Sequence, residues 1–246
     1  MSDKAHDWLT PHWPAPEWVR ACVTTRAGGV SAAPYDSFNL AAHVEDDPQA
    51  VVKNRQRLLS QLGCRPAWLQ QVHGIAVAHA DPESVEEADA SWTATTGVAC
   101  TVMTADCLPA LFCDRAGTRV AAAHAGWRGL AGGVLEATLD ALAVEPEETL
   151  VWLGPAIGPQ AFEVGAEVRE AFVSGHPQAA GAFLPSENVG RFMADIYQLA
   201  RIRLAARGIN AVYGGGFCTV NDSRFYSYRR AAQTGRFASL IWLADR

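Results

Sequence analysis

The chain has 246 residues, a length that accommodates one large domain or two small ones. Its composition, 49% hydrophobic and 19% charged residues, is typical of a soluble globular protein with an ample core. The formal net charge of −6 gives no electrostatic reason to expect nucleic acid or an anionic membrane as a partner. An anionic substrate would therefore depend on local arginines.

The sequence shows no clear export signal, membrane span or domain boundary. Residues 1–16 lack the apolar segment of a secretory signal, and no stretch approaches ~20 uninterrupted apolar residues, so we expect neither export nor a membrane span. The six cysteines include no C-x-x-C pair, which predicts reduced thiols and a cytoplasmic location. Because no repeat, low-complexity tract or linker divides the chain, we expect one domain over 1–246, with 1–16 as a peripheral N-terminal segment.

Hydrophobic patterning predicts helices and strands that are mixed along the chain. In chain order we predict a strand at 20–25, a helix from Asp47-Pro48, strands at 68–72, 98–104, 108–113 and 119–123, a helix at about 130–142, a strand at 149–153, helices at 165–173 and 195–207, and strands at 212–213, 225–228 and 239–242. Since these elements show no regular βαβ alternation, the pattern favours an α+β fold, a single domain of mixed β-sheets layered with helices, over a doubly wound sheet.

Two imidazoles and one thiol occupy positions where predicted strands give way to loops. His73 follows the strand at 68–72, Cys107 lies in the break before Pro109, and His124 ends the strand at 119–123. Separations of 34 and 17 residues are too long for a local metal finger, so three neighbouring strand ends would have to bring these side chains together. Two nitrogens and a thiolate can form an open zinc site, and a cysteine beside a histidine can equally be a nucleophile and its base.

Further polar groups are candidates for substrate contacts. Gly126-Trp127-Arg128-Gly129 links a strand end to a helix start, where backbone N–H groups and an arginine favour anions. Arg26 lies in a glycine-rich turn, Asn39 and His43 follow in an apolar segment, and Arg229 lies in an aromatic stretch. Taken alone, a strand face with arginines at its rim explains these last stretches more simply than a binding site.

The motifs in combination resemble the YfiH family, once named the multicopper polyphenol oxidase (laccase) domain family, whose bacterial members include the peptidoglycan editing factor. The resemblance rests on motifs in one order along the chain: Thr25-Arg26-Ala27-Gly28-Gly29-Val30-Ser31, Asn54-Arg55, Gln71-Val72-His73-Gly74, Thr104-Ala105-Asp106-Cys107-Leu108-Pro109, His124-Ala125-Gly126-Trp127-Arg128-Gly129, Gly154-Pro155-Ala156-Ile157-Gly158-Pro159 and Phe225 to Arg230.

This resemblance implies that His73, Cys107 and His124 bind one zinc ion in the active site. It also implies phosphorolysis of adenosine, inosine or S-methyl-5′-thioadenosine, with phosphate as co-substrate, together with adenosine deamination. We assign the remaining roles as expectations. Asp106 and His43 are expected to move protons, and the expected substrate contacts are Arg26, Asn39, Gln71, Arg128 and Arg229.

One position departs from the family pattern, and one family label conflicts with the composition. Where the family usually reads Tyr-Arg-Arg-Asp/Glu-Gly, this chain has Ala231-Ala232 after its two arginines, so substrate affinity is expected to differ. A multicopper oxidase needs about ten histidine ligands, largely in His-x-His pairs. The chain has seven histidines and no such pair, so the laccase label does not fit.

Two rival hypotheses remain at this stage. One is a metal-free cysteine hydrolase that cleaves an amide in a cell-wall precursor, with Cys107 as the nucleophile and His124 or His73 as the base. The other is a non-catalytic protein that binds nucleosides or metal in the same pocket. Metal analysis separates the first from a zinc enzyme, and product assays separate the second.

Overall fold

The computed structural model describes residues 7–245. Its strands are β1 (Val19–Val23), β2 (Arg65–Ala67), β3 (Leu69–Gln70), β4 (Val77–His79), β5 (Glu86–Glu87), β6 (Ala90–Thr93), β7 (Val98–Thr104), β8 (Leu108–Asp114), β9 (Val120–Ala125), β10 (Thr149–Leu153), β11 (Glu163–Gly165), β12 (Phe183–Pro185), β13 (Arg191–Ala194), β14 (Val212–Gly214) and β15 (Phe237–Leu243). Its α-helices are α1 (Pro48–Leu62), α2 (Trp127–Gly132), α3 (Val134–Leu142), α4 (Ala166–Val173) and α5 (Ile196–Ala206), and two 3-10 helices cover Pro146–Glu148 and Pro177–Ala182.

Two larger sheets form the framework of the molecule. The first has the strand order β1-β15-β7-β2, and the second has the order β14-β10-β8-β9-β6-β4. Both mix parallel and antiparallel pairs, as β8 and β9 are antiparallel while β10 and β14 are parallel. A three-stranded sheet, β11-β13-β12, and the two-stranded pair β3-β5 lie beside them. No helix within residues 7–245 has the length and apolar character needed to cross a membrane.

The central strands of the second sheet, β8, β9 and β10, are buried on both faces, which creates a layered core. Along β8, Leu108 and Phe112 pack with residues of α3 and α5, whereas Leu111 packs with Val102 and Ile241 of the first sheet. This follows from the alternation of side chains along a strand. A third apolar cluster lies on the outer face of the first sheet, where α1 packs against β7 and β15.

The N-terminal segment contacts the first sheet where it is described. Leu9 forms an antiparallel bridge with Val23 of β1, and Trp13 packs against the apolar cluster between the two sheets. The first part of the segment expected at 1–16, namely residues 1–6, lies outside the described residues. The single-domain α+β prediction is confirmed.

His124 lies near the end of β9, as expected, one residue before the strand ends at Ala125, and it pairs with Pro109 of β8. Two local predictions are wrong, and each has a physical reason. The helix expected at 130–142 is two helices, because Gly133 between α2 and α3 has a left-handed backbone with φ of 108°. The aromatic run at 225–228 is not a strand, since Tyr226 is buried in a loop and its hydroxyl donates to the Tyr35 carbonyl.

Candidate active site and metal centre

His73, Cys107 and His124 converge at one place in the fold. Their ligand atoms all lie within 4.8 Å of one another. The Cys107 Sγ is 3.8 Å from His73 Nε2, and the two imidazole rings meet edge to face with centroids 4.7 Å apart. Burial increases across the set, because His73 is exposed, Cys107 is partly buried and His124 is buried. The cluster is therefore open to solvent on the His73 side.

The strand connections explain this convergence. β8 and β9 are neighbouring antiparallel strands, so Cys107, the residue before β8, lies beside the end of β9, where His124 is located. His73 and Asp106 have positive φ angles of 61° and 88°, which non-glycine residues adopt rarely and mostly at functional sites. These two turns bring the His73 imidazole and the Cys107 thiol towards the same point.

Asp89 is a buried carboxylate that connects two of the three cluster residues. Its Oδ1 lies 2.8 Å from His124 Nδ1 and accepts the His73 backbone N–H at 2.9 Å. Its Oδ2 accepts the backbone N–H groups of Gly74 at 2.6 Å and Val72 at 3.2 Å. A carboxylate at Nδ1 fixes the tautomer that presents Nε2 to a metal, as in many zinc proteins. Asp89 thus orients the His124 imidazole and holds the backbone of the turn that carries His73.

The electrostatics favour an ionised cysteine in this cluster. Burial raises the pKa of Cys107, but the charge and hydrogen bonds of His124 and His73 outweigh it and lower the pKa to about 6. Burial lowers the pKa of His124, but Cys107 and Asp89 raise it to about 9. Burial also raises the pKa of Asp89, and the His124 and backbone hydrogen bonds bring it below its usual value. Both shifts favour the ion pair of a Cys107 thiolate and a His124 imidazolium when no metal is bound.

Gly126 packs directly against the cluster. A Cβ at this position would lie 2.9 Å from His73 Cδ2 and 3.0 Å from Cys107 Sγ, closer than side-chain carbons approach each other. Glycine is therefore required at the start of α2 for the two ligand-type side chains to come together. The helix that was expected to help bind an anion here is short, since α2 has only six residues.

The cluster opens into a cavity of about 500 Å³, a size that suits a small-molecule ligand. Its lining combines polar, cationic and apolar side chains: His43, Gln71, His73, Met103, Thr104, Ala105, Asp106, Cys107, His124, Trp127, Arg128, Ile157, Phe162, Ile196, Tyr228, Arg229 and Arg236.

Five of the residues predicted beyond the cluster line this cavity, and their contacts differ. Gln71 uses both ends of its amide on the Met103 backbone, so it joins the His73 turn to β7. Asp106 accepts the Thr219 hydroxyl and the Arg229 backbone N–H, one on each carboxylate oxygen. His43 and Arg128 also line the cavity.

Two residues predicted as substrate contacts lie elsewhere. Arg26 does not line the cavity, because its guanidinium pairs with Asp36 at 3.0 Å and stacks over Tyr226. Asn39 is fully buried, and its side-chain oxygen accepts the Arg236 backbone N–H at 2.9 Å. Both residues stabilise loops around the cavity.

Several residues at the site were not predicted as site residues. Asp89 supports the cluster from outside the cavity lining, and its small apolar neighbours Ala88 and Ala90 are the local signal that could have indicated a buried carboxylate, which needs partners. Phe162 had no local signal that distinguished it from an ordinary loop residue. The departure at Ala231 and Ala232 is exposed, and Ala232 lines a separate surface cleft together with Arg236.

The fold and the cluster define an α+β protein with a candidate three-ligand metal centre at a cavity that suits a small-molecule ligand. Residues 20–244 match the family described as multi-copper polyphenol oxidoreductase laccase, and the chain belongs to this family, the YfiH family. Within residues 7–245, the His73–Cys107–His124 group is the single cluster of three metal-ligating side chains, which is far from a multicopper arrangement.

The relatives cover essentially the whole chain. A Pseudomonas aeruginosa protein named purine nucleoside phosphorylase is 72% identical, over 97% of this chain and 99% of its own length. The purine nucleoside phosphorylase YfiH of Escherichia coli K12 is 55% identical, over 96% and 98%. Among solved structures, a Neisseria meningitidis DUF152 protein matches with a TM-score of 0.94 and 53% identity, over 97% of this chain and 100% of the other. YlmD from Geobacillus stearothermophilus matches with a TM-score of 0.90 and 29% identity, over 100% and 98%.

Proposed function

We propose that this chain is a zinc-dependent purine nucleoside phosphorylase. The observation that carries the proposal is the convergence of His73, Cys107 and His124 within 4.8 Å at the edge of a cavity of about 500 Å³. The names of the relatives, which cover nearly the whole chain, support a purine nucleoside as the substrate. Its six cysteines are all free thiols, which supports the expected cytoplasmic location.

The side chains present fit a single zinc ion. Two imidazoles and one thiolate are ligands that zinc prefers, and three protein ligands leave a position for water or substrate. Asp89 at His124 Nδ1 supplies the supporting carboxylate that zinc-binding histidines usually have. A zinc ion in this place would supply Lewis-acid polarisation or a water of lowered pKa.

Phosphorolysis makes three demands on the protein residues. A phosphate oxygen forms a bond to ribose C1′ while the bond from C1′ to the purine nitrogen breaks. The bonding electrons leave with the purine, which then takes up a proton. The protein must therefore hold the phosphate, hold the base and handle one proton.

His43 and Asp106 are the proposed proton-handling residues. Burial lowers the pKa of His43, as do the nearby charges of Arg236, Arg55 and the cluster histidines. Its imidazole is therefore neutral at neutral pH and can take up or relay a proton. Asp106 already accepts two hydrogen bonds, so we assign it the positioning of the Arg229 segment as well.

Apolar and aromatic side chains in the same cavity are suited to the purine and ribose. Phe162, Ile157 and Trp127 line it, and Tyr228 lies at its exposed side. Planar bases stack well on such faces. We propose adenosine, inosine and S-methyl-5′-thioadenosine as substrates, and we propose adenosine deamination as a second reaction of the same site.

A chromatographic assay of metal-loaded protein tests the proposal. We expect inosine to yield hypoxanthine and ribose 1-phosphate only when phosphate is present, and adenosine to yield adenine and inosine. The Cys107→Ala variant should lose both bound zinc and turnover. The Cys218→Ser variant should retain both, because this partly buried thiol does not line the cavity. Absence of base release from all three nucleosides, beside an active control enzyme, would refute the proposal.

The lowered pKa of Cys107 also suits a nucleophile, which keeps one second candidate open. A metal-free amide hydrolase acting on cell-wall precursors would be active after chelation, and its thiol would be alkylated rapidly in the active protein. Stoichiometric zinc that is lost together with turnover excludes this alternative. Nucleoside-induced thermal stabilisation without any product would instead indicate a binding protein.

A further inference from the structure

Three arginines line the cavity, and two of them are exposed and engaged elsewhere. Arg229 donates from both terminal nitrogens to the backbone carbonyls of Ala161 and Glu163, so it holds the neighbouring loop in place. Arg128 lies 4.4 Å from the ring of its neighbour Trp127. Arg236 is the partly buried member of the three.

The contacts of Arg236 leave much of its guanidinium unused. Its Nη1 donates to the carbonyls of Thr234 at 2.9 Å and Gly235 at 3.0 Å. Among residues 7–245, no carboxylate lies within 4.0 Å of it as an ion-pair partner. A partly buried cation without a direct ion-pair partner loses solvation that a bound anion can replace. Arg236 is therefore ready to bind an anionic ligand.

Thr104 provides a second, independent observation at the same place. It lines the cavity and is only 1% exposed, and its hydroxyl has no hydrogen-bond partner among the described residues. Buried hydroxyls are nearly always hydrogen-bonded in native proteins. Because Phe237 pairs with Thr104 in the sheet, Arg236 precedes the residue directly opposite this threonine. The unpartnered hydroxyl and the unused guanidinium nitrogens thus lie at neighbouring positions of paired strands.

The backbone of Arg236 is held rigidly, which would limit the entropy lost on binding. Its N–H donates to the buried Asn39 side chain, whose amide in turn donates to Asp46 at 2.9 Å. A Cβ on the preceding Gly235 would lie 2.8 Å from the Tyr226 ring and 2.9 Å from Asn39 Cβ, so the segment is tightly packed. Preorganised donors bind an anion more strongly than mobile ones.

We propose that Arg236 and Thr104 form the phosphate subsite of this cavity, with Asn39 as a positioning residue for Arg236. The role in turnover rests on the proposed phosphorylase function, while the binding of an oxyanion does not. The guanidinium would donate two parallel hydrogen bonds to phosphate oxygens, and the threonine hydroxyl would donate a third. His43 lines the same cavity as these two residues.

Thr104→Val and Arg236→Lys test this subsite by two readouts. In steady-state phosphorolysis of inosine, we expect the KM for phosphate to rise about 10- to 100-fold in each variant, with the KM for inosine nearly unchanged. Calorimetric titration of inorganic phosphate into the metal-loaded protein should show the same loss of affinity. The titration needs no turnover, so it separates a failure of the subsite from a failure of the phosphorylase function.

Matched controls separate binding from folding. Thr104→Val removes a hydroxyl without a partner and so should not lower the melting temperature of the ligand-free protein. Ser239→Ala removes another buried, unpartnered hydroxyl away from the cavity, and Arg20→Gln removes an exposed arginine of β1; both should bind phosphate like the wild type. Unchanged phosphate affinity in both subsite variants, or loss of affinity in Arg128→Gln alone, would overturn the proposal. Failure of the wild type to bind phosphate, with or without inosine, would overturn it as well.

Discussion

Asp89→Asn is the substitution that most sharply tests how the metal centre is built. The change keeps the shape of the side chain but removes one of two acceptor oxygens and adds an N–H donor. Asp89 accepts from His124 Nδ1 and from the backbone N–H groups of residues 72, 73 and 74. An asparagine can accept only some of these four hydrogen bonds, because its amide NH2 group would face N–H donors where the second carboxylate oxygen now accepts them.

The expected magnitude follows from these four contacts. Loss of a carboxylate that supports a metal-binding histidine usually costs 10- to 100-fold in metal affinity, which is about 1.4–2.8 kcal/mol. A buried donor left without an acceptor also destabilises the metal-free fold by about 1–3 kcal/mol. We therefore expect weaker zinc binding and a lower free energy of unfolding.

The assay is a competition for zinc between the protein and a chromophoric chelator, followed by urea unfolding of the metal-free protein. Asp114→Asn is the matched control, since Asp114 is buried at the other end of β8 and accepts from Thr118 and Arg119 in a turn. The control should lose stability but keep wild-type zinc affinity. Equal zinc affinity in Asp89→Asn and the wild type would refute the role that we give to Asp89.

Three further outcomes are expected. Gly126→Ala should reduce zinc affinity, because the added Cβ would collide with His73 and Cys107. Gly175→Ala is the control and should keep the wild-type affinity, because a Cβ there has no atom within 4 Å. Competition with a chelator measures the zinc affinity of both variants. In the metal-free protein, iodoacetamide should alkylate Cys107 with a midpoint near pH 6, because its lowered pKa of about 6 keeps the thiolate above that pH and loses it below; zinc should block the reaction. A midpoint at the ordinary thiol pKa would contradict this electrostatic account. Tyr197→Phe should lower the free energy of unfolding by about 1–3 kcal/mol, because the buried Ala156 N–H loses the hydroxyl that accepts it at 2.8 Å. Tyr213→Phe, at a partly buried site on β14, is the control in urea unfolding, and equal stabilities of the two variants would count against the assignment.

The sequence predicts the elements whose patterns are local. The helix α1 begins at Pro48 after Asp47, whose side chain accepts the Gln49 N–H, and it ends at Gly63 in the left-handed conformation. Apolar runs similarly identify β7, β8 and β10, since each is buried along its whole length. These signals depend only on residues that are close together in the chain, so a single sequence is enough to predict the elements.

The rest of the site depends on contacts between distant segments. Asp89 reaches His124 across 35 residues, and Arg236 reaches Asn39 across 197. No local pattern encodes such pairs, so Asn39 looked like a substrate contact although it holds the Arg236 backbone. The strand predicted at 225–228 is wrong for a related reason. Its aromatic residues Phe225 and Tyr226 are buried in the core, but their backbone pairs with no neighbouring strand.

The most direct test of the central claim is a zinc titration of metal-free protein with phosphorolysis as the readout. Product formation from inosine and phosphate should rise with added zinc and stop rising at one ion per chain. Alkylation of Cys107 should disappear over the same range of added zinc, because the zinc ion that activates the enzyme is proposed to bind this thiol. Full turnover without zinc, or saturation while Cys107 stays reactive, would contradict the account.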